Sequence, residues 1–171
     1  MIAIEGSHGT SVTRAQRVHA SGFHLGRGMR GTGVYFWTGP YYVELAIGWY
    51  NYQRSLNRYN ADGEPGCAII IAAISVGDME VLDLEAEELR DEIALTIKEQ
   101  GLNTQNKREI TELYDLFIKK IEQRLNITFK VVKVKVGIPT GFFPDYPMNM
   151  IGAPLCCVVR DTTCVAIKEI R

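Results

Sequence analysis

Residues 31–37 read Gly-Thr-Gly-Val-Tyr-Phe-Trp, and the last four of them have the apolar, aromatic composition typical of a strand. Residues 22–33, which lead into it, hold five glycines and predict a loop whose backbone can approach a ligand closely. These glycines do not have the G-x-G-x-x-G spacing, and no lysine pattern of a phosphate-binding loop is present. Neither a Rossmann turn nor a P-loop is therefore indicated.

The segments next to this strand predict a mixture of helices and strands. Residues 1–4 predict a short strand and residues 6–10 a tight turn, after which Ser11 or Thr13 can cap a helix that runs to about residue 20. A helix is predicted over residues 41–55. Residues 66–76 are too apolar for a half-solvated strand and predict a fully buried one.

The second half of the chain begins with helices and ends with strands. After a short strand at 79–84, helices are predicted over 86–99, where Gly101 ends the first of them, and over about 104–125. An amphipathic strand is predicted over 128–136. A loop with Pro139, Pro144 and Pro147 fills 137–154, and strands at 156–159 and 164–167 are predicted to form a hairpin through 160–163. Because helices and strands are grouped rather than alternating, the pattern indicates an α+β fold in one domain.

Composition narrows the range of functions. The 171 residues carry 19 basic and 20 acidic side chains, and the net charge of −1 argues against a strongly basic nucleic-acid binder. The longest apolar run, residues 67–74, is far short of a membrane span, and no secretory signal is visible. The four cysteines form no C-x-x-C pair, which disfavours a metal site and predicts reduced thiols in the cytoplasm.

Charge is unevenly distributed along the chain. Residues 5–58 contain six arginines and only two acids, Glu5 and Glu44. Residues 78–99 contain nine acids and only two basic residues, Arg90 and Lys98. The basic third suits a phosphate-bearing ligand, but a solvated surface explains it equally well. For the acidic segment we favour the solvated surface.

Three motifs in the N-terminal third together resemble the ADP-ribosyltransferase fold of the diphtheria-toxin and poly(ADP-ribose) polymerase branch. They are His8-Gly9-Thr10, Gly22-Phe23 after the first helix, and the strand 31–36. Residues 46–50 lie where that branch has a small-residue helix with a second aromatic side chain. The resemblance covers residues 2–50, and more faintly 156–170. It implies a single domain, 1–171, with a split antiparallel β-sandwich and an inserted helical segment at about 85–125.

The resemblance also implies that NAD is the substrate. Tyr35 and either Trp49 or Tyr50 would hold the nicotinamide ring between two aromatic faces, by stacking and cation–π attraction. The main chain of Gly9 would pair with the carboxamide. His8 would bind the adenosine ribose, as in the family, so that His8 and Tyr35 are expected to line one cavity.

Further contacts to NAD are expected from the same segments. Thr10 would support the adjacent ribose, and Ala46 would lie beside the ligand on the second helix. Arg27 or Arg30, in the glycine-rich loop, would neutralise the pyrophosphate. No metal is expected.

One position departs from the family pattern. The branch places a glutamate at the start of a late strand, and the alignment puts that position at Cys156, within one residue. Asp161, which is expected to be catalytic together with His8, Tyr35 and Cys156, could substitute for the glutamate, as could Glu169 or Asp145, although none has the right spacing. The departure argues against chain elongation and leaves single-unit transfer, NAD hydrolysis or binding without catalysis.

The leading expectation is an NAD-dependent mono-ADP-ribosyltransferase that modifies a protein or nucleic-acid acceptor and releases nicotinamide. By analogy, such small chains act as bacterial or phage toxins or effectors with an antitoxin-type inhibitor as partner, and no membrane is involved. Tyr35→Ala is expected to abolish activity without unfolding the chain. The alternatives are a catalytically silent NAD- or ADP-ribose-binding module, an NAD glycohydrolase and, last, a relative of the RNA 2′-phosphotransferases. The aromatic loop 138–150 could face the acceptor or pack over the sheet edge.

Overall fold

A computed structural model describes residues 1–143 and 145–171, so that the predicted loop residue Pro144 lies outside the described residues. The described residues form an α+β fold, as predicted. Its strands are β1 (Ile2–Ser11), β2 (Gly26–Gly28), β3 (Gly31–Trp37), β4 (Cys67–Val76), β5 (Val81–Asp83), β6 (Val131–Lys135), β7 (Leu155–Val159) and β8 (Val165–Ile170). Its helices are α1 (Val12–Ser21), α2 (Tyr42–Ser55), α3 (Glu87–Gln100), α4 (Lys107–Leu125) and α5 (Met148–Ile151).

The strands form one sheet that consists of two parts. The order is β5-β6-β7-β3-β1-β4-β8, with β2 paired to β3, and the pairs are antiparallel except for β5 and β6. β1 pairs with β4 along its whole length, whereas its pairing with β3 is limited, within these two fully described strands, to Ser7 and Trp37. One residue pair thus joins β1, β4 and β8 to the other five strands.

The sheet folds over on itself. Only residues 77–80 connect β4 to β5, although β5 lies at the opposite edge of the sheet. In a flat sheet these strands would be about 24 Å apart, at about 4.8 Å per neighbour, whereas this connection spans at most about 18 Å. In agreement, Ala72 and Ile74 of β4 share an apolar cluster with Val131 of β6 and Val159 of β7. The two parts therefore face each other across this cluster.

Helices α2, α3 and α4 cover the other face of the sheet. Their apolar side chains join those of the strands in a second, larger cluster, to which α4 contributes Ile110, Leu113, Phe117, Ile118 and Ile121. The predicted periodicity of α4 is thus confirmed. Local signals set the helix ends: Ser11 accepts a hydrogen bond from the Arg14 amide at the start of α1, and Gly101 ends α3 in the left-handed conformation, with φ of 60°.

Four sequence-based predictions differ from the structure. Residues 6–10 are not a turn but part of β1, because pairing with β4 holds them extended. The glycine-rich loop contains a hairpin of β2 and β3. β7 and β8 do not form a hairpin, since β7 pairs with β3 and β6 while β8 pairs with β4. Within the predicted loop 137–154, residues 148–151 form α5.

Candidate functional site

His8 lies on the face of the sheet opposite to α2, α3 and α4, where α1 packs against β4. Its ring contacts the rings of Phe23 and Phe36, with centroids 5.6 Å and 5.9 Å away. Its Nδ1 lies 3.0 Å from the carbonyl oxygen of Tyr35. Because a carbonyl oxygen only accepts hydrogen bonds, Nδ1 carries the proton and Nε2 of the neutral ring is an acceptor. Nε2 forms no hydrogen bond with the described residues. Every fully buried side-chain N or O atom among those residues does have a hydrogen-bond partner. Nε2 therefore reaches solvent.

The surroundings of His8 favour its neutral form. Burial lowers the pKa of the imidazole below its ordinary value of 6.5, and the hydrogen bond with the Tyr35 carbonyl opposes this shift only in part. At neutral pH the side chain is thus an uncharged hydrogen-bond acceptor, which suits a hydroxyl group better than a phosphate.

We expect His8 to make the protein less stable as the pH falls below about 6.5. The unfolded chain then takes up a proton that folded His8 does not, so the free energy of unfolding falls, by at most about 1.4 kcal/mol per pH unit, until the pH reaches the folded pKa. Urea denaturation from about pH 7.5 to about pH 5 measures this effect. His8→Gln should remove this component, and His19→Gln, at an exposed position of α1, should not. Equal effects of the two variants would contradict the assignment.

Gly9 lies where β1 separates from β3. If the pairing at Ser7 and Trp37 continued, Gly9 would be opposite Tyr35, but within these fully described strands it does not continue. On its helical side Gly9 touches α2, since a Cβ atom there would lie 2.0 Å from the carbonyl oxygen of Ala46. The glycine predicted to bind the carboxamide therefore lies just beyond the end of the β1–β3 pairing, with the backbone of α2 against it.

Tyr35 points away from His8. Side chains alternate along a strand, and because His8 contacts Phe36, the neighbouring Tyr35 lies on the helical face. Its hydroxyl donates to the Gly31 carbonyl over 2.7 Å and accepts from the Arg30 amide over 3.0 Å, and burial raises its pKa. The prediction that the side chains of His8 and Tyr35 line one cavity is therefore wrong, because Tyr35 closes the turn of the β2–β3 hairpin.

Of the two candidates for the second aromatic face, Trp49 remains compatible with that role and Tyr50 does not. Tyr50 is 1% exposed and stacks on Tyr59 at 5.2 Å, while its hydroxyl donates to the Pro65 carbonyl, so it is a core residue. Trp49 is half-buried and on the face of Gly9, with its ring 6.4 Å from that of Trp37.

The aromatic loop predicted over 138–150 packs on α2. A Cβ atom at Gly48 would lie 2.5 Å from the Phe143 ring, and that ring is 6.3 Å from Trp37. Tyr146 lies 5.5 Å from Tyr41. These contacts favour packing over an acceptor-facing role for this loop.

The other predicted NAD contacts are not brought to His8. Thr10 is 5% exposed, so its side chain is not open to a ligand ribose. Arg27 is exposed on β2. Arg30 donates from Nε to the Lys135 carbonyl and lies over the ring of Tyr114, on the helical side of the sheet. Ala46 is buried, and its carbonyl oxygen lies against Gly9.

None of the candidate acids occupies the position of the missing glutamate. Cys156 is 1% exposed in β7 beside Trp37, and burial raises the pKa of its thiol well above the usual value, so it is not a base. Asp161 accepts from the amide and the hydroxyl of Thr163, which caps the turn before β8 and lowers its pKa. Glu169 pairs with Arg171, and Asp145 is exposed. The catalytic roles expected for Cys156 and Asp161 are thus not supported by their positions.

Two cavities among the described residues lie away from His8, Gly9 and Tyr35. One of about 310 Å³ is lined by Arg30, Arg90, Tyr114 and Lys135 among others, and one of about 330 Å³ is lined by Thr32, Asp115 and Asp161 among others. Neither is lined by His8, Gly9 or Tyr35. Sequence reasoning missed Arg90, Tyr114 and Lys135 as site residues. Since they lie on α3, α4 and β6, no spacing motif could have grouped them.

No protein-family model matches the chain, and no curated protein matches it. The resemblance to the ADP-ribosyltransferase fold therefore rests on the sequence motifs alone. Among the described residues, no helix has both the length and the apolar character needed to cross a bilayer.

Proposed function

We propose that the chain binds NAD where β1 and β3 stop pairing and acts as a mono-ADP-ribosyltransferase, with a protein or nucleic acid as acceptor. The proposed fold is the split β-sandwich of that family, with α3 and α4 as the inserted helical segment. The observation that carries the proposal is the state of His8: the Tyr35 carbonyl fixes Nδ1 and leaves Nε2 as an accessible acceptor. Gly9, where the strands separate, follows it directly.

Under this proposal the two ends of NAD lie on the two sides of the sheet. A hydroxyl of the adenosine ribose would donate to Nε2 of His8 on one side. The nicotinamide would lie toward the helical side, where Gly9, Tyr35 and Trp49 are found. A dinucleotide is long enough to contact both sides, and its path would run between β1 and β3 beyond the Ser7–Trp37 pair, where α2 would have to make room at Gly9. Opposite faces for His8 and Tyr35 are therefore compatible with one extended ligand, although not with one compact pocket.

The transfer step breaks the bond between the nicotinamide nitrogen and ribose C1, and the bonding electrons leave with neutral nicotinamide. The acceptor nucleophile forms the new bond to C1, and its proton passes to solvent. Aromatic faces can hold the cationic ring in place before it leaves. Without a carboxylate nearby, the developing positive charge on the ribose is poorly stabilised, so we expect a slow reaction.

The second candidate is a catalytically silent NAD- or ADP-ribose-binding module. It is favoured by Cys156, which occupies the expected glutamate position as a buried, neutral thiol. Incubation with NAD that is labelled in both nicotinamide and adenine distinguishes the candidates. Nicotinamide release with adenine label on an acceptor supports transfer, whereas release without transfer indicates a glycohydrolase. Calorimetric binding without release over hours supports the silent module, and no binding of NAD overturns both.

We expect replacement of His8 to weaken NAD binding about tenfold, because one hydrogen bond to the ribose is lost. His8→Phe keeps the packing against Phe23 and Phe36 but removes the acceptor nitrogen. Titration calorimetry with NAD measures the change, and a thermal melt verifies that the variant folds. His19→Phe is the exposed control and should bind as the wild type does. Unchanged binding by folded His8→Phe would refute the proposed role.

A further inference from the structure

The cavity of about 310 Å³ on the helical side carries an excess of positive charge. It lies between the β2–β3 hairpin, β6, α3 and α4, and its charged residues are Arg30, Arg90, Lys135 and Glu85. No ion pair within 4.0 Å involves any of the three cations among the described residues. Glu85 instead accepts a hydrogen bond from the Lys135 amide. Three cations without acidic partners around one cavity are typical of an anion site.

Arg30 is held in position with part of its guanidinium free. Its Nε donates to the Lys135 carbonyl and its Nη1 to the Met29 carbonyl, over 3.2 Å and 3.0 Å. The guanidinium carbon lies 5.4 Å from the centre of the Tyr114 ring. Nη2 forms no hydrogen bond with the described residues. Because every fully buried side-chain nitrogen among them has a partner, Nη2 reaches solvent. A fixed guanidinium with free N–H groups suits a phosphate oxygen.

The remaining wall of the cavity is apolar. Leu84 and Val134 come from the sheet side and Ile93 from α3, with the Tyr114 ring beside them. The volume is at the small end of the range of ligand sites. Because Leu84, Ile93 and Val134 are at most 5% exposed, a planar ring would pack on the Tyr114 ring, with a phosphate group at the cations. We propose that this cavity binds a small phosphate-bearing compound with a ring, of the size of a nucleoside monophosphate. This site is separate from His8, and it does not rest on the proposed function.

Adenosine 5′-monophosphate, adenosine and inorganic phosphate are the probes, each titrated by calorimetry. We expect the monophosphate to bind at least about tenfold more tightly than adenosine, because the phosphate meets Arg30 and its neighbours. Arg90→Gln and Lys135→Gln should each weaken its binding about fivefold, and added salt should weaken it further. Arg90 is exposed and the Lys135 side chain has no described partner, so both variants should fold. Lys119→Gln, at an exposed position of α4, is the matched control and should bind normally.

Two results would overturn this assignment. One is that neither the monophosphate nor inorganic phosphate binds below about 10 mM. The other is that His8→Phe abolishes binding of the monophosphate while Lys135→Gln does not, which would locate the ligand beside His8. Failure of NAD cleavage leaves this test unaffected, because its readout is binding of the monophosphate at a different set of residues.

Discussion

Gly9→Ala is expected to destabilise the protein by about 3 kcal/mol or more. The added methyl group would lie 2.0 Å from the carbonyl oxygen and 2.7 Å from the carbonyl carbon of Ala46. Both atoms belong to the backbone of α2, and Ala46 is fully buried, so no side-chain rotation can relieve the overlap. Helix α2 would have to move away from β1, which would disrupt its buried packing around Leu45.

Urea denaturation with a spectroscopic readout measures the loss as a lower transition midpoint. The matched control is Gly63→Ala, where the new methyl group would have only the Thr13 hydroxyl nearby, at 3.9 Å. That variant should be neutral or slightly more stable, because alanine restricts the unfolded chain. A Gly9→Ala protein as stable as the wild type would show that α2 does not contact β1 as described. Packing against α2 therefore explains why position 9 is a glycine, independently of any ligand.

Local signals explain why most helices could be predicted within a few residues. The Ser11 cap, the left-handed Gly101 and the apolar periodicity of α4 are all properties of short segments. The partner of a strand, by contrast, is not determined by a short segment. Residues 6–10 have turn-like composition but are extended because β4 lies beside them. Likewise Asp161 does cap a turn, as turn chemistry predicts, yet the strand after it pairs with β4 rather than with β7.

The candidate site was predictable in its residue types but not in its arrangement. The position of His8 next to Gly9 is visible in the sequence, whereas the direction of each side chain depends on the register of β1 against β3. That register is set at Ser7 and Trp37, residues 30 positions apart, and nothing local specifies it. The same limit applies to Arg30. Its charge suggested a phosphate contact, but its cavity partners lie on three distant elements.

Tyr35→Ala is expected to destabilise the protein by about 3 kcal/mol. This differs from the sequence-based expectation that the variant keeps its fold and loses only activity. The ring packs against the backbone at Gly28, where a Cβ atom would be 2.3 Å from it, and the hydroxyl bonds to Arg30 and Gly31. Removing the side chain would leave a void beneath the hairpin and two backbone groups without their partner.

Tyr35→Phe separates the hydroxyl from the ring. It should cost about 1–2 kcal/mol, since the Arg30 amide and the Gly31 carbonyl lose their hydrogen bonds while the packing on Gly28 remains. Tyr52→Phe is the control, because the Tyr52 hydroxyl has no partner among the described residues, and its midpoint in urea should not change. If Tyr35→Ala unfolds at the same urea concentration as the wild type, the hairpin does not depend on this side chain. NAD binding of the same variants tests the role of the ring. Tyr35→Ala is assayed at a urea concentration well below its own unfolding midpoint. If folded Tyr35→Phe binds NAD normally and Tyr35→Ala does not, the ring and not the hydroxyl contacts the nicotinamide. Equal NAD affinity of all three proteins would mean that Tyr35 only supports the fold and that the nicotinamide contacts lie elsewhere.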